Sequence, residues 1–137
     1  MRGKLISETL EKRGNTKEKS LYLQYKWQAN RRKIPWHLTK EQFIAIIYND
    51  CHYCKGSPEN RTVGGSRSIL SNGVDRKDNS HQVGYTVANC VPCCKTCNDM
   101  KGSLSAERFV EQAKKIAAQL LTNDARLIHI AAAPREE

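Results

Sequence analysis

Six cysteines occupy only two short stretches of this 137-residue chain: Cys51 and Cys54 in one, Cys90, Cys93, Cys94 and Cys97 in the other. A disulfide scaffold spreads its cysteines to tie distant loops together. Paired Cys-x-x-Cys knuckles are instead the spacing by which a chain wraps a tetrahedral metal ion. The pattern therefore points to a zinc site joining two segments far apart in sequence. Cys51-His52-Tyr53-Cys54 supplies one pair without ambiguity. For the other, both Cys90-Val91-Pro92-Cys93 and Cys94-Lys95-Thr96-Cys97 have the spacing. The second is more knuckle-like and runs into a helix start, which favours Cys94 and Cys97 as ligands and leaves Cys90 and Cys93 as core or free thiols. Four thiolates leave no open coordination position, so such a zinc is a structural staple. In a chain only 39% hydrophobic, its binding energy of roughly 10–16 kcal/mol can decide whether the domain folds.

The length suits one domain with a modest core. The net charge of +9 is unevenly placed. Residues 1–49 carry eleven Lys and Arg against four Asp and Glu, residues 50–103 seven against five, and residues 104–137 five of each. A basic excess in the N-terminal third points to a polyanionic partner. Nucleic acid fits better than a membrane surface, because no amphipathic lipid-facing stretch accompanies the charge. No run approaches the roughly 18 apolar residues of a membrane span, and no apolar leader follows Met1. The chain reads as a cytoplasmic protein, in which the Asn60-Arg61-Thr62 sequon carries no meaning.

Residues 1–19 read as a polar arm. Leu21, Tyr22, Tyr25 and Ala29 recur at helical spacing, so a helix is expected from Ser20 to about Lys33, ended by Pro35. Thr39-Lys40-Glu41-Gln42 resembles a capping box opening a second helix over Phe43–Tyr48. Residues 56–73 read as a loop with room for a short strand at Ser68-Ile69-Leu70. Val74-Asp75-Arg76 begins or ends a strand, Asp78–Gly84 forms a turn, and Tyr85–Asn89 is extended and then helical. Ser103 or Ser105 caps a long last helix whose packing face runs from Leu104 and Phe109 through Val110, Ile116 and Leu120. Asp124–Ala133 adds a further short helix. Trp27 and Trp36 read individually as core residues.

Asp75, Asn89 and Asn98 are oxygen-bearing residues on separate elements that the zinc site draws together. A hard cation such as Mg²⁺ is held by one or two such side chains and otherwise by water and phosphate. Asp and Asn also dominate turns and caps, which explains the same residues without a metal.

The order Cys-x-x-Cys, Val-Asp-Arg-x-Asp, Gly-Tyr-Thr, Asn, Cys-x-x-Cys-Asn-x-x-x-Lys over residues 51–101 resembles the HNH nucleases of the ββα-metal (His-Me finger) group. It is most similar to the zinc-knuckle variant found in many phage-encoded HNH proteins and in a rare-cutting restriction endonuclease. Tyr22–Phe43 also resembles the helices before the knuckle in those phage proteins. The resemblance implies an α+β fold: a small zinc-stapled ββα-metal finger over residues 50–103, between a basic, DNA-contacting helical region at 1–49 and a helical region at 104–137. It implies a metal-dependent endonuclease, phage or mobile-element encoded, that hydrolyses phosphodiester bonds in double-stranded DNA, alone or as a homodimer, with catalytic Mg²⁺ or Mn²⁺. Asp75 and Asn98 match the ligands of that ion, and Asn89 matches the residue that orients the base. Arg76 stands where most of the group has the histidine that activates water, and Tyr85 matches a tyrosine near the scissile phosphate. A guanidinium cannot act as a base but can clamp a phosphate. Tyr85 can deprotonate water only if cations lower its pKa well below about 10, and His81 in the preceding loop is the rival base. Lys26, Arg31, Arg32 and Lys33 are expected on the phosphate backbone. The alternative is a non-catalytic zinc-stapled nucleic-acid-binding module, which has no need of Asp75, Asn89 and Asn98 together.

Overall fold

The computed structural model describes residues 16–65 and 67–123. The expected polar arm over residues 1–19 lies outside them up to residue 15 and is helical from Thr16, against the expected helix start at Ser20. The short helix over Asp124–Ala133 also lies outside them. Helix α1 (Thr16–Arg31) inserts Leu21 and Ala29 into the core, with Tyr22 and Tyr25 packed beside them. It ends in a pair of reverse hydrogen bonds, Ile34 N–H to the Ala29 carbonyl at 2.8 Å and Lys33 N–H to the Asn30 carbonyl at 3.1 Å. Lys33 takes the left-handed conformation, φ 58°, and Ile34 is buried beyond it, the arrangement of a Schellman end. Helix α2 (Lys40–Ile47) opens with the expected capping box: the Thr39 side chain accepts from the Gln42 N–H, and the Gln42 side chain accepts from the Thr39 N–H. Phe43 and Ile47, one turn apart, are its two fully buried residues.

Strand β1 (Glu59–Thr62) pairs antiparallel with β2 (Ser68–Ser71). This hairpin corrects the reading of residues 56–73 as mostly loop. β1 is polar and without apolar alternation, and the pair is held to the body by Val63 and Ile69. Strand β3 (Gly73–Arg76) pairs antiparallel with β4 (Cys90–Cys93), Asp75 opposite Val91 and Arg76 opposite Cys90. Cys90 and Cys93 therefore lie in a strand, as buried thiols. Helix α3 (Lys95–Lys101) follows directly, capped by the Cys94 side chain. β3, β4 and α3 make a ββα unit on which α2 packs.

One core joins α1, α2, both hairpins and the segment between the first two helices: Leu21, Leu38, Phe43, Ile47, Val63, Ile69, Val74 and Cys90. Trp36 and Tyr85 pack against it, and the backbones around them bridge in parallel. Trp27, expected in the core, is 60% exposed; helical phase turns it away from Leu21 and Ala29. Helix α4 (Ala106–Asn123) starts where the Ser105 hydroxyl accepts from the Arg108 N–H at 3.2 Å. On its expected packing face Phe109 is buried, whereas Val110, Ile116 and Leu120 are exposed. No helix among the described residues is long and apolar enough to cross a membrane.

Candidate active site

The ligand atoms of Cys51, Cys54, Cys94 and Cys97 lie within 4.8 Å of one another, and the Cys54 and Cys94 sulfurs are 3.8 Å apart. Four thiolates around a tetrahedral zinc at about 2.3 Å put neighbouring sulfurs about 3.8 Å apart. Backbone N–H groups of Gly56 and Cys97 point at the Cys54 and Cys94 sulfurs at 3.4 and 3.3 Å, which suits sulfur that carries negative charge. Burial resists ionisation of Cys51, but the backbone N–H groups of Cys54, Cys94 and Tyr53 outweigh it and bring that thiol down to about 6. Burial and the neighbouring thiols push Cys97 up. The cluster thus has the donor set and spacing to hold a metal ion such as zinc. Cys90, on β4, is outside it, and burial pushes its thiol up to about 12.

A cavity of about 840 Å³ opens between α1 and the ββα unit. Asp75, Arg76, His81, Tyr85 and Asn98 all line it, and Arg32 closes the α1 side. Asn89 does not line it. That side chain instead pins both ends of the 78–84 loop: Oδ1 accepts from the Asp78 N–H at 2.9 Å, and Nδ2 donates to the carbonyls of Asp78 and Gly84 at 2.9 and 2.8 Å. Gly84 sits at φ +67°, where a Cβ would strike the Pro35 carbonyl oxygen. That close approach lets Tyr85 N–H bond the Pro35 carbonyl and the Tyr85 carbonyl accept from His37 N–H, each at 2.8 Å, fixing where the phenol enters the cavity.

Asp75 is 6% exposed and held from two sides. Its Oδ2 accepts from the Tyr53 hydroxyl at 2.7 Å, and its Oδ1 lies 3.2 Å from the Lys101 ammonium. Burial first, and then the Asp75 carboxylate, push the Tyr53 phenol far up, so it stays a donor. Lys101 Nζ also donates to the Arg76 carbonyl at 3.1 Å and to Asn79 Oδ1 at 3.3 Å. Arg76 is 7% exposed; its Nη1 donates to the Asn79 carbonyl at 3.2 Å, and its guanidinium lies over the Tyr85 ring, 5.3 Å from the centroid. Among the described residues no carboxylate forms an ion pair with it. A buried cation without a counter-ion, facing a cavity, is arranged to receive an anion. Burial raises the Tyr85 pKa and Arg76 opposes it, the burial effect winning.

Asn98 is exposed on α3, directly after Cys97. The Asp75 carboxylate and the Asn98 amide, which both line the cavity, are hard oxygen donors, and each Asp75 oxygen keeps a lone pair beyond its one polar contact. They fit a divalent ion that retains most of its water. Of the four basic residues singled out on and after α1, Arg32 lines the cavity, Arg31 lies over Trp27 and Lys26 over Tyr22, and Lys33 is exposed at the helix end. Tyr53, Lys101, Tyr25 and Arg61 are site residues that the sequence did not single out. Tyr53 lies inside the first knuckle and Lys101 ends the second motif, so position near the cysteines was the available signal.

The ββα unit lies over a four-cysteine cluster and is preceded by two helices, a fold found among solved proteins. The solved HNH restriction endonuclease PacI shares it, with a TM-score of 0.55 and 24% identity over 78% of this chain and 81% of that one. In sequence, the chain is 35% identical over 105 residues to an uncharacterized protein of Acanthamoeba polyphaga mimivirus, covering 77% of this chain and 18% of that protein. It is 23% identical over 82 residues to a putative HNH endonuclease derived from the SPbeta prophage of Bacillus subtilis, covering 60% of this chain and 34% of that protein. The chain thus spans well under half the length of both curated relatives. No family model matches it.

Proposed function

We propose that this chain is a metal-dependent endonuclease that hydrolyses phosphodiester bonds in double-stranded DNA. In this reading Cys51, Cys54, Cys94 and Cys97 hold a structural zinc ion, and Asp75 with Asn98 binds Mg²⁺ or Mn²⁺. The observation that carries it is the cavity in which a buried Arg76, without a counter-ion among the described residues, meets Asp75, Tyr85, His81 and Asn98. The divalent ion supplies charge neutralisation at the phosphate and at the leaving 3′ oxygen. Arg76 clamps a non-bridging phosphate oxygen and stabilises the developing charge. Lys101 and Tyr53 hold the Asp75 carboxylate in the orientation that faces the cavity, and Asn89 holds the loop that presents Tyr85 and His81. Arg32 and Arg61 bind flanking phosphates.

Burial raises Tyr85 where a tyrosine base needs its pKa lowered, which favours His81 for the proton of the attacking water, and pH tests the choice. A base works deprotonated, so activity rises through its pKa. Because burial lifts Tyr85 above its ordinary value of about 10, a tyrosine base gives activity that is still climbing beyond about pH 9. Tyr85→Phe then abolishes the climb. Activity that survives Tyr85→Phe and is lost in His81→Ala assigns the base to His81 and leaves Tyr85 as a phenol that orients the phosphate.

The test of the reading is conversion of supercoiled plasmid by zinc-loaded protein with Mg²⁺ or Mn²⁺, beside chelator and Asp75→Ala controls. Nicked or linear product that needs the metal and vanishes in the variant is the expected result. One observation favours the second reading, a non-catalytic zinc-stapled nucleic-acid-binding module: both Asp75 oxygens already have protein partners, Lys101 and Tyr53. Folded protein that binds DNA and leaves the plasmid intact would establish that reading instead.

A further inference from the structure

Helix α1 carries a surface that none of these roles uses. Trp27 is exposed, with the Arg31 guanidinium over its ring 5.3 Å from the centroid. Leu23, one turn earlier, is exposed as well, so Leu23, Trp27 and Arg31 form one stripe at i, i+4 spacing. Gln28 and Arg32 line both this surface and the Asp75 cavity, so the two are continuous. A tryptophan left in water costs solubility and contributes nothing to the core, which makes its position informative. Arg31 and Arg32 beside it fix the chemistry of what covers it. An apolar partner surface would have to strip water from two cations, whereas a polyanion with aromatic faces satisfies both the charges and the indole. Nucleic acid is that polymer: bases stack on exposed aromatic rings, and flanking cations take the phosphates. In a fully paired duplex the base faces are covered by their neighbours, so an indole reaches one only where a step is opened or a base is unpaired.

We propose that Trp27 stacks on a base exposed at an opened or unpaired step of the DNA bound in the Asp75 cavity, with Arg31 and Arg32 on the phosphates beside it. This rests on the DNA reading above. The chain then binds DNA with an unpaired base more tightly than the same DNA fully paired, and the difference resides in Trp27. Each stacked base is worth enough for a preference of about tenfold.

The experiment uses the full zinc-loaded chain without added Mg²⁺ or Mn²⁺ and two probes: a short paired duplex, and the same duplex carrying one unpaired thymine. Affinity is read by anisotropy of labelled DNA and stacking by quenching of tryptophan emission. The wild type is expected to prefer the unpaired-thymine duplex about tenfold and to lose emission on binding it. Trp27→Leu, at an exposed position with thermal melting as the folding control, is expected to level the two affinities and abolish the quench. A Trp27→Leu variant that keeps the preference, or loses affinity equally for both probes, overturns the proposal. A wild type that binds both probes equally without a quench overturns this proposal alone. A wild type that binds neither overturns the DNA reading together with it.

Discussion

Lys101 is 1% exposed, and its ammonium holds the Asp75 carboxylate, the Arg76 carbonyl and the Asn79 side chain at once. Through Asn79, whose Nδ2 donates to the carbonyls of Ser103 and Leu104 at 2.6 Å, it ties the loop after β3 to the turn after α3. Replacing it with an apolar residue of similar length leaves Asp75 a buried charge with only the Tyr53 hydroxyl. Breaking a buried pair from one side costs about 3–5 kcal/mol, so Lys101→Met is expected to lower the unfolding free energy obtained from urea titration by that much. Because the penalty is the stranded carboxylate, Asp75→Asn added to Lys101→Met should recover part of the loss. A double variant no more stable than Lys101→Met would mean that the aliphatic packing of Lys101, and not its charge, holds the turn. The sequence shows that Asp75 and Lys101 are present, each in a motif. Which atoms a lysine reaches twenty-six positions from its carboxylate depends on α3 folding back along β3, and no local spacing encodes that.

At the level of elements, the structure divides into parts fixed by short-range chemistry and parts fixed by packing. The Thr39–Gln42 capping box and the two Cys-x-x-Cys knuckles depend on three-residue spacings, and both were legible in the sequence. The β1–β2 hairpin was not, because Glu59-Asn60-Arg61-Thr62 has no apolar alternation; its place comes from Val63 and Ile69 on either side of the turn. Helix α4 was read correctly as a helix but packs less than expected: among its described residues Phe109 is the one buried apolar side chain, Ala113 and Leu121 are half-buried, and Val110, Ile116 and Leu120 are exposed. The four-cysteine cluster joins the loop before β1 to the start of α3. Stripping it with a strong chelator is therefore expected to remove amide-exchange protection from β3, β4 and α3, and Cys97→Ser to do the same without chelator. Cys90→Ala should keep the metal, because Cys90 lies in β4 among core residues. Its thiol has a second consequence. It titrates near 9 when unfolded and at about 12 when buried, so the neutral buried thiol adds stability below about pH 9 that is lost as pH rises toward 12. The wild type should lose stability between pH 8 and pH 10 more steeply than Cys90→Ala, measured by urea midpoints in the metal-loaded state. Equal slopes would show that another group sets the alkaline limit.

On the scale of the whole molecule, the charge runs in one direction. The +9 excess lies mostly before residue 50, while residues after 103 carry equal numbers of each sign. In the structure this asymmetry becomes a geometry: Arg32, directly after α1, and Arg61 on β1 reach the walls of the cavity that holds Asp75 and Arg76. On α4, by contrast, Arg108 and Lys115 both reach Glu111, at 3.5 and 3.4 Å, and so have a partner already. Exposed pairs of that kind are weak, but they leave little field for a polyanion on that side. If DNA lies against α1 and the cavity, each cation that meets a phosphate releases about one counter-ion, and the logarithm of affinity falls with the logarithm of salt by about 0.9 per contact. Arg32→Ala and Arg61→Ala are each expected to lower that slope by about one and to weaken binding alike for unrelated sequences. Lys115→Ala should leave the slope where it was. The three slopes, measured by titrating a short duplex at several salt concentrations, locate the DNA without cleavage being observed. Unchanged slopes for Arg32→Ala and Arg61→Ala, with a reduced one for Lys115→Ala, would move the DNA to α4 and detach the cavity from the phosphate backbone.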